Sequence, residues 1–144
     1  IKARAACRVS GLPVLADDSG LCVAALGGEP GVHSARYCPG SDSDRVQFLL
    51  QRLEQTPEGQ RDACFVSVIA CVCPDGTEFT VRGECPGVIL RESRGRGGFG
   101  YDPVFFLPEE GCTFAEMPQS RKNALSHRAS SLAKMKEALL ARGL

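Results

Sequence analysis

The chain has 144 residues, 17 Lys and Arg against 17 Asp and Glu, a net charge of zero and 43% hydrophobic residues. That length suits one globular domain over residues 1–144 with a sizeable core, and the missing basic excess argues against a nucleic-acid partner. Eight scattered cysteines without a Cys-x-x-Cys pair argue against a zinc site or a disulfide framework and for reduced, apolar thiols. With no signal peptide and no run of about 18 apolar residues, a membrane partner is not expected and the cytoplasm is the expected compartment.

Residues 1–10 have helical composition and stop at Gly11, a suitable carboxyl-terminal cap. Leu12 to Ala16 reads as a short strand running into a turn at Asp17-Asp18-Ser19-Gly20, and Leu21 to Leu26 as extended chain. Ser41 or Asp42 can cap a helix with Val46, Leu49, Leu50 and Leu53 on one face. Ala63 to Cys73 is nearly all apolar and fits a strand covered on both faces. Pro74-Asp75-Gly76-Thr77 is a turn, Glu78 to Glu84 returns antiparallel, and residues 87–90 and 104–107 add to the sheet. Thr113 and Glu116 have capping-box spacing for a short helix. Ser126 caps the last helix, which carries Leu132, Met135, Leu139 and Leu140 inward. Interleaved helices and strands with a central hairpin predict an α/β domain built on a mixed β-sheet flanked by helices.

Three clusters hold chemistry. In Asp17-Asp18-Ser19-Gly20, side chains that alternate along extended backbone would put at most one carboxylate in a given cleft. One carboxylate plus substrate phosphates suits Mg²⁺, although the same residues also make an ordinary Asx turn. In Gly95 to Pro103, glycines let a flat ligand approach closely and Phe99 can stack on a base; a tight surface turn reads the same way. The Gly-Lys-Ser/Thr ending of a P-loop is absent. In Arg121 to Arg128, His127 and Arg128 would occupy the first turn of the last helix, where the helix dipole disfavours cations. Such a placement points to an anion or an electron-rich carbonyl.

These clusters, with Gly11 to Leu21, Gly27 to Tyr37, Gly97 to Pro103 and Lys122 to Arg128 in order, resemble the inosine/xanthosine triphosphate pyrophosphatases, or Ham1-like proteins, from Ile1 to about Leu140. The resemblance implies an ITPase-like fold and a homodimer. It implies hydrolysis of ITP, dITP and XTP to monophosphate and diphosphate with Mg²⁺. It assigns Asp18 as general base and metal ligand, and Ser19, Phe99, Gly100, Tyr101, Asp102, Lys122, His127 and Arg128 as substrate-binding residues. Arg128 and His127 would donate to the 6-oxo group of the purine.

The family's leading strand, its Thr-Gly-Asn-x-x-Lys triphosphate loop and a second metal-binding Glu are not in this sequence. The expectation is therefore a partial domain with weakened triphosphate binding. A catalytically inactive nucleotide-binding or interaction domain stays open as the alternative, and a phosphatase releasing orthophosphate is a third reading that no residue favours.

Overall fold

The computed structural model describes residues 2–143. Helix α1 (Lys2–Ser10) leads into strand β1 (Val14–Val23), two 3₁₀ segments and helix α2 (Asp42–Arg52). The long hairpin β2 (Asp62–Val72) and β3 (Glu78–Ile89) follows, then short strands β4 (Phe105–Leu107) and β5 (Cys112–Thr113), and helices α3 (Gln119–Leu125) and α4 (His127–Ala141). The α/β class read from the sequence holds. The sheet runs in the order β1-β2-β3-β4-β5, and every neighbouring pair among the described residues is antiparallel. No helix among the described residues is long and apolar enough to cross a membrane.

Several local expectations are met by their own chemistry. Gly11 adopts φ 68° and its N–H returns to the Cys7 carbonyl at 2.8 Å, closing α1. Ser41 and Asp44 form a reciprocal capping box at the start of α2. The β2–β3 turn closes through Cys73 N–H to the Thr77 carbonyl at 2.9 Å, with Gly76 at φ 94°.

Three expectations are corrected. Asp17 to Gly20 is not a turn: it lies inside one continuous ten-residue strand, in register with Ile69 to Val66 of β2. Ladder pairing along the whole strand outweighs the turn preference of four residues. In β2, Phe65, Ser67 and Ile69 are buried, whereas Cys64, Val66, Val68 and Ala70 are only partly covered. One face therefore carries the core, and α1 screens the other only near Val14, Ala16 and Val72. In α4 the inward residues are His127, Ser131 and Met135, spaced by four, while Leu132 and Leu140 are 61% and 67% exposed.

The core packs the Phe65, Phe105 and Phe114 rings against Leu49, Leu53 and Ile89, with Phe65 and Phe105 centroids 4.5 Å apart. The eight cysteines are free thiols, and Cys7, Cys71, Cys73 and Cys85 are buried. Arg61 is 1% exposed. Its guanidinium donates to the carbonyls of Ile89 and Leu53 at 2.8 Å, Leu90 at 3.0 Å and Thr56 at 3.1 Å, tying the end of α2 to β3. Where α4 starts, it crosses β3 at Gly83. A Cβ at Gly83 would stand 2.2 Å from the His127 carbonyl oxygen and 2.4 Å from the Ser131 nitrogen, so hydrogen alone fits between strand and helix.

Candidate active site

Alternation along β1 divides its polar residues between two faces of the sheet. Asp17, Ser19 and Leu21 face α4 and the core, while Ala16, Asp18, Gly20 and Cys22 face the less covered side. A cavity of about 480 Å³ opens on the first face and one of about 450 Å³ on the second. Both reach Ser19 and Gly20, so the two cavities meet at β1, which is the end strand of the sheet among the described residues.

The first cavity gathers Ser19, Phe99, Gly100, Tyr101, Asp102, Lys122, His127 and Arg128, all the substrate-binding residues expected from the sequence. Ser126 caps α4 by accepting from the Ala129 N–H at 3.2 Å, which puts His127 and Arg128 in the first turn as expected. Phe99 is 60% exposed, with Lys122 Nζ 4.6 Å and Arg128 Cζ 5.6 Å from its ring centroid. Lys122 also pairs with Asp102 at 2.5 Å, and both are buried. Asp102 Oδ2 accepts from the Phe99 N–H at 3.0 Å as well, so one carboxylate fixes both the loop that bears the aromatic ring and the lysine beside it. The ring at Phe99 is presented on glycines: Gly98 and Gly100 have φ of 71° and 58°, a left-handed conformation that side chains resist.

Asp18 is not in that cavity. It lines the second one with Lys2 and Arg82. The structure thus brings eight of the nine expected residues together and sets the ninth just across the strand.

Sequence reasoning missed four contributors. Asp17 stands 3.6 Å from Arg128 Nε. Asp42 Oδ2 accepts from the Gly100 N–H at 3.0 Å, a contact that holds its carboxyl below the usual range ahead of the pairing with Arg45. Ser34 accepts from the Leu21 N–H at 2.8 Å, and its carbonyl accepts from the Tyr101 hydroxyl at 2.7 Å, so the Gly27 to Tyr37 motif serves as a strut. Lys2 lines the second cavity, but its place in a stretch of ordinary helix composition carries no signal of that. The capping-box spacing of Thr113 and Glu116 was a usable signal: both bonds form, but they close a turn ahead of α3 and not a helix.

A family model described as the Ham1 family matches residues 1–138. The dITP/XTP pyrophosphatase of Symbiobacterium thermophilum is 55% identical over 139 residues, 96% of this chain and 70% of the relative. The chain belongs to the Ham1 family. Two solved Ham1 proteins have the same fold: that of Staphylococcus aureus at TM-score 0.93 and 38% identity, covering 98% of this chain and 73% of that one, and that of Coxiella burnetii at TM-score 0.91 and 42% identity, covering 97% and 73%.

In this Ham1-family chain His127 is a packed residue as much as a polar one. Its ring stacks on Phe65 at 4.9 Å and 14°, its Nε2 lies 2.7 Å from Ser19 Oγ, and its Nδ1 is buried without a hydrogen-bond partner. Arg128 lines the same cavity with its guanidinium nearly half exposed. Burial, reinforced by Arg128, pushes the imidazole down to about 4. The unfolded chain takes up this proton near the ordinary value of 6.5. Stability from neutral His127 is therefore complete above that pH and is lost as pH falls towards 4, by up to about 1.4 kcal/mol per unit. Urea denaturation at several pH values should show this acid slope, and His127→Gln should flatten it. An equal slope in both proteins would refute the assignment.

Proposed function

We propose that this chain carries the purine pocket and catalytic carboxylate of a hydrolase that converts ITP, dITP and XTP to the nucleoside monophosphate and diphosphate. The observation that carries this reading is the meeting of the two cavities at Ser19 and Gly20. A purine stacked on Phe99 in the first cavity leaves its phosphates at the edge of β1, where the second cavity offers Asp18, Lys2 and Arg82.

The Asp18 side chain is exposed and makes no hydrogen bond or ion pair with other described residues. It is therefore free to take a proton from a water that attacks the α-phosphorus. The α–β phosphoanhydride bond breaks, the diphosphate departs with the bond's electron pair, and water's oxygen stays on the monophosphate. Lys2 lines the same cavity and can meet phosphate oxygens, and Arg82, whose Nε is paired with Glu84 at 2.6 Å, offers its terminal nitrogens there. On the purine side, the guanidinium of Arg128 donates to a 6-oxo oxygen, whereas adenine presents an amino donor there and leaves the pairing unmet.

Among the described residues no group of three or more His, Cys, Asp and Glu is placed to hold a metal ion. Asp18 with substrate phosphates is still a donor set that Mg²⁺ accepts, since this ion often binds through one or two carboxylates and phosphate oxygens. When bound, Mg²⁺ would offset the negative charge gathering on the phosphates. A cytoplasmic homodimer is the setting we expect.

The test is the product released from ITP and from ATP with Mg²⁺. Diphosphate from ITP in preference to ATP supports the reading. Orthophosphate would mark a generic phosphatase, and inosine nucleotide binding without any release would mark a binding module.

A further inference from the structure

We infer that Asp17 is a positioning residue for base selection: it holds the Arg128 guanidinium in place for the purine. The inference rests on the proposed role of Arg128. Asp17 sits beside the carboxylate assigned to catalysis, but alternation along β1 turns it to the opposite face, towards α4. Its Oδ2 lies 3.6 Å from Arg128 Nε, an ion pair and not a hydrogen bond.

Three observations give this contact a purpose. First, the carboxylate is anchored from below. Asp17 Oδ1 accepts from Ser67 Oγ at 3.1 Å, Ser67 Oγ is 2.9 Å from Ser131 Oγ, and Ser131 Oγ is 3.1 Å from the Arg128 carbonyl oxygen. Ser67 and Ser131 are both fully buried. With the Ser67 proton given to Asp17, the single Ser131 proton serves either Ser67 or the Arg128 carbonyl, so the two hydroxyls hold the Asp17 carboxylate and the start of α4 at adjacent points in the core without an unbroken chain of hydrogen bonds. Second, the pair itself adds little to stability, because both side chains are nearly half exposed, at 47% and 43%. Holding a long side chain in one orientation is what remains for it to do. Third, Lys122, the neighbouring cation of the pocket, is already taken by Asp102. Asp17 is the one carboxylate paired with Arg128 among the described residues, and it engages Nε, which leaves the two terminal nitrogens for a ligand.

The experiment measures Kd for ITP and for ATP by calorimetry in five proteins: the parent, Asp17→Asn, Arg128→Ala, the double variant and the conservative control Asp17→Glu. Arg128→Ala should reduce the ITP-over-ATP ratio by about tenfold or more. Asp17→Asn should reduce it by a smaller factor, about two- to fivefold, which is what an exposed pair can supply; the double variant should be no worse than Arg128→Ala alone, and Asp17→Glu should recover part of the ratio. Thermal midpoints should stay within a few degrees throughout. A ratio unchanged in Asp17→Asn but lost in Arg128→Ala, or two losses that multiply in the double variant, would overturn the role of Asp17. A ratio unchanged in Arg128→Ala, or no preference for ITP in the parent, would instead overturn the reading of Arg128 itself.

Discussion

Asp18→Asn should lower the rate of diphosphate release from ITP by about 10²–10⁴-fold, the usual contribution of a positioned general base, while purine affinity stays within about twofold of the parent. The separation of the two effects follows from β1. Asp18 points away from the cavity that gathers Phe99 and Arg128, so a change of its charge leaves the base-binding side untouched. Its exposure also protects the test from a folding artefact, because asparagine has the same shape and nothing in the core leans on the carboxylate. Steady-state kinetics beside calorimetry with inosine monophosphate would check both halves. Parent-like turnover would remove Asp18 from the chemistry. Equal loss of rate and of monophosphate affinity would mean that the base and the carboxylate share one cavity.

The largest expected effect on stability lies at Arg61. Arg61→Met keeps most of the side-chain volume and removes every donor. The two bonds to Leu53 and Ile89 are buried; the Leu53 carbonyl keeps the Thr56 N–H at 2.9 Å, so the full cost of an unpaired buried carbonyl, roughly 1–3 kcal/mol, falls on Ile89. With a smaller loss at Leu53 added, Arg61→Met should destabilise the protein by about 1–4 kcal/mol, a sizeable share of the ~5–15 kcal/mol by which small domains are stable. The bonds to Thr56 and Leu90 are only partly buried, so water can replace them at smaller loss. Urea unfolding of the two proteins settles the matter, and a difference under about 1 kcal/mol would show that the four carbonyls find other partners.

The candidate site is legible in the sequence to the extent that its residues sit close together along the chain. Phe99 to Asp102 and Lys122 to Arg128 are short segments whose composition is odd for their place, with aromatic and basic groups on a glycine loop and at a helix start. The supports were not legible, because their partners are distant. Nothing near Arg61 announces that it will be buried among carbonyls supplied by α2 and β3. Nothing near Asp17 announces Ser67 and Ser131. The strand through Asp17 to Gly20 was misread for the same reason: four turn formers in a row are a local signal, and the pairing that overrules them lies in Val66 to Ile69. Leu132 misled in another way. Its apolar side chain suggested an inward face, but His127 and Ser131 face the polar groups of the strands and so set the helix's rotation.

At Gly83 a single hydrogen acts as the shim between sheet and helix, and it sets how high the first turn of α4 rides. Arg128 rides on that turn, so the spacing between the two surfaces that would grip a purine is gauged by a residue with no functional group of its own. Enlarging it would lift the guanidinium while the aromatic ring stays on its separate loop. A small-to-larger change at Gly83 is therefore expected to act on which base is admitted, although the residue lies outside every cavity described above.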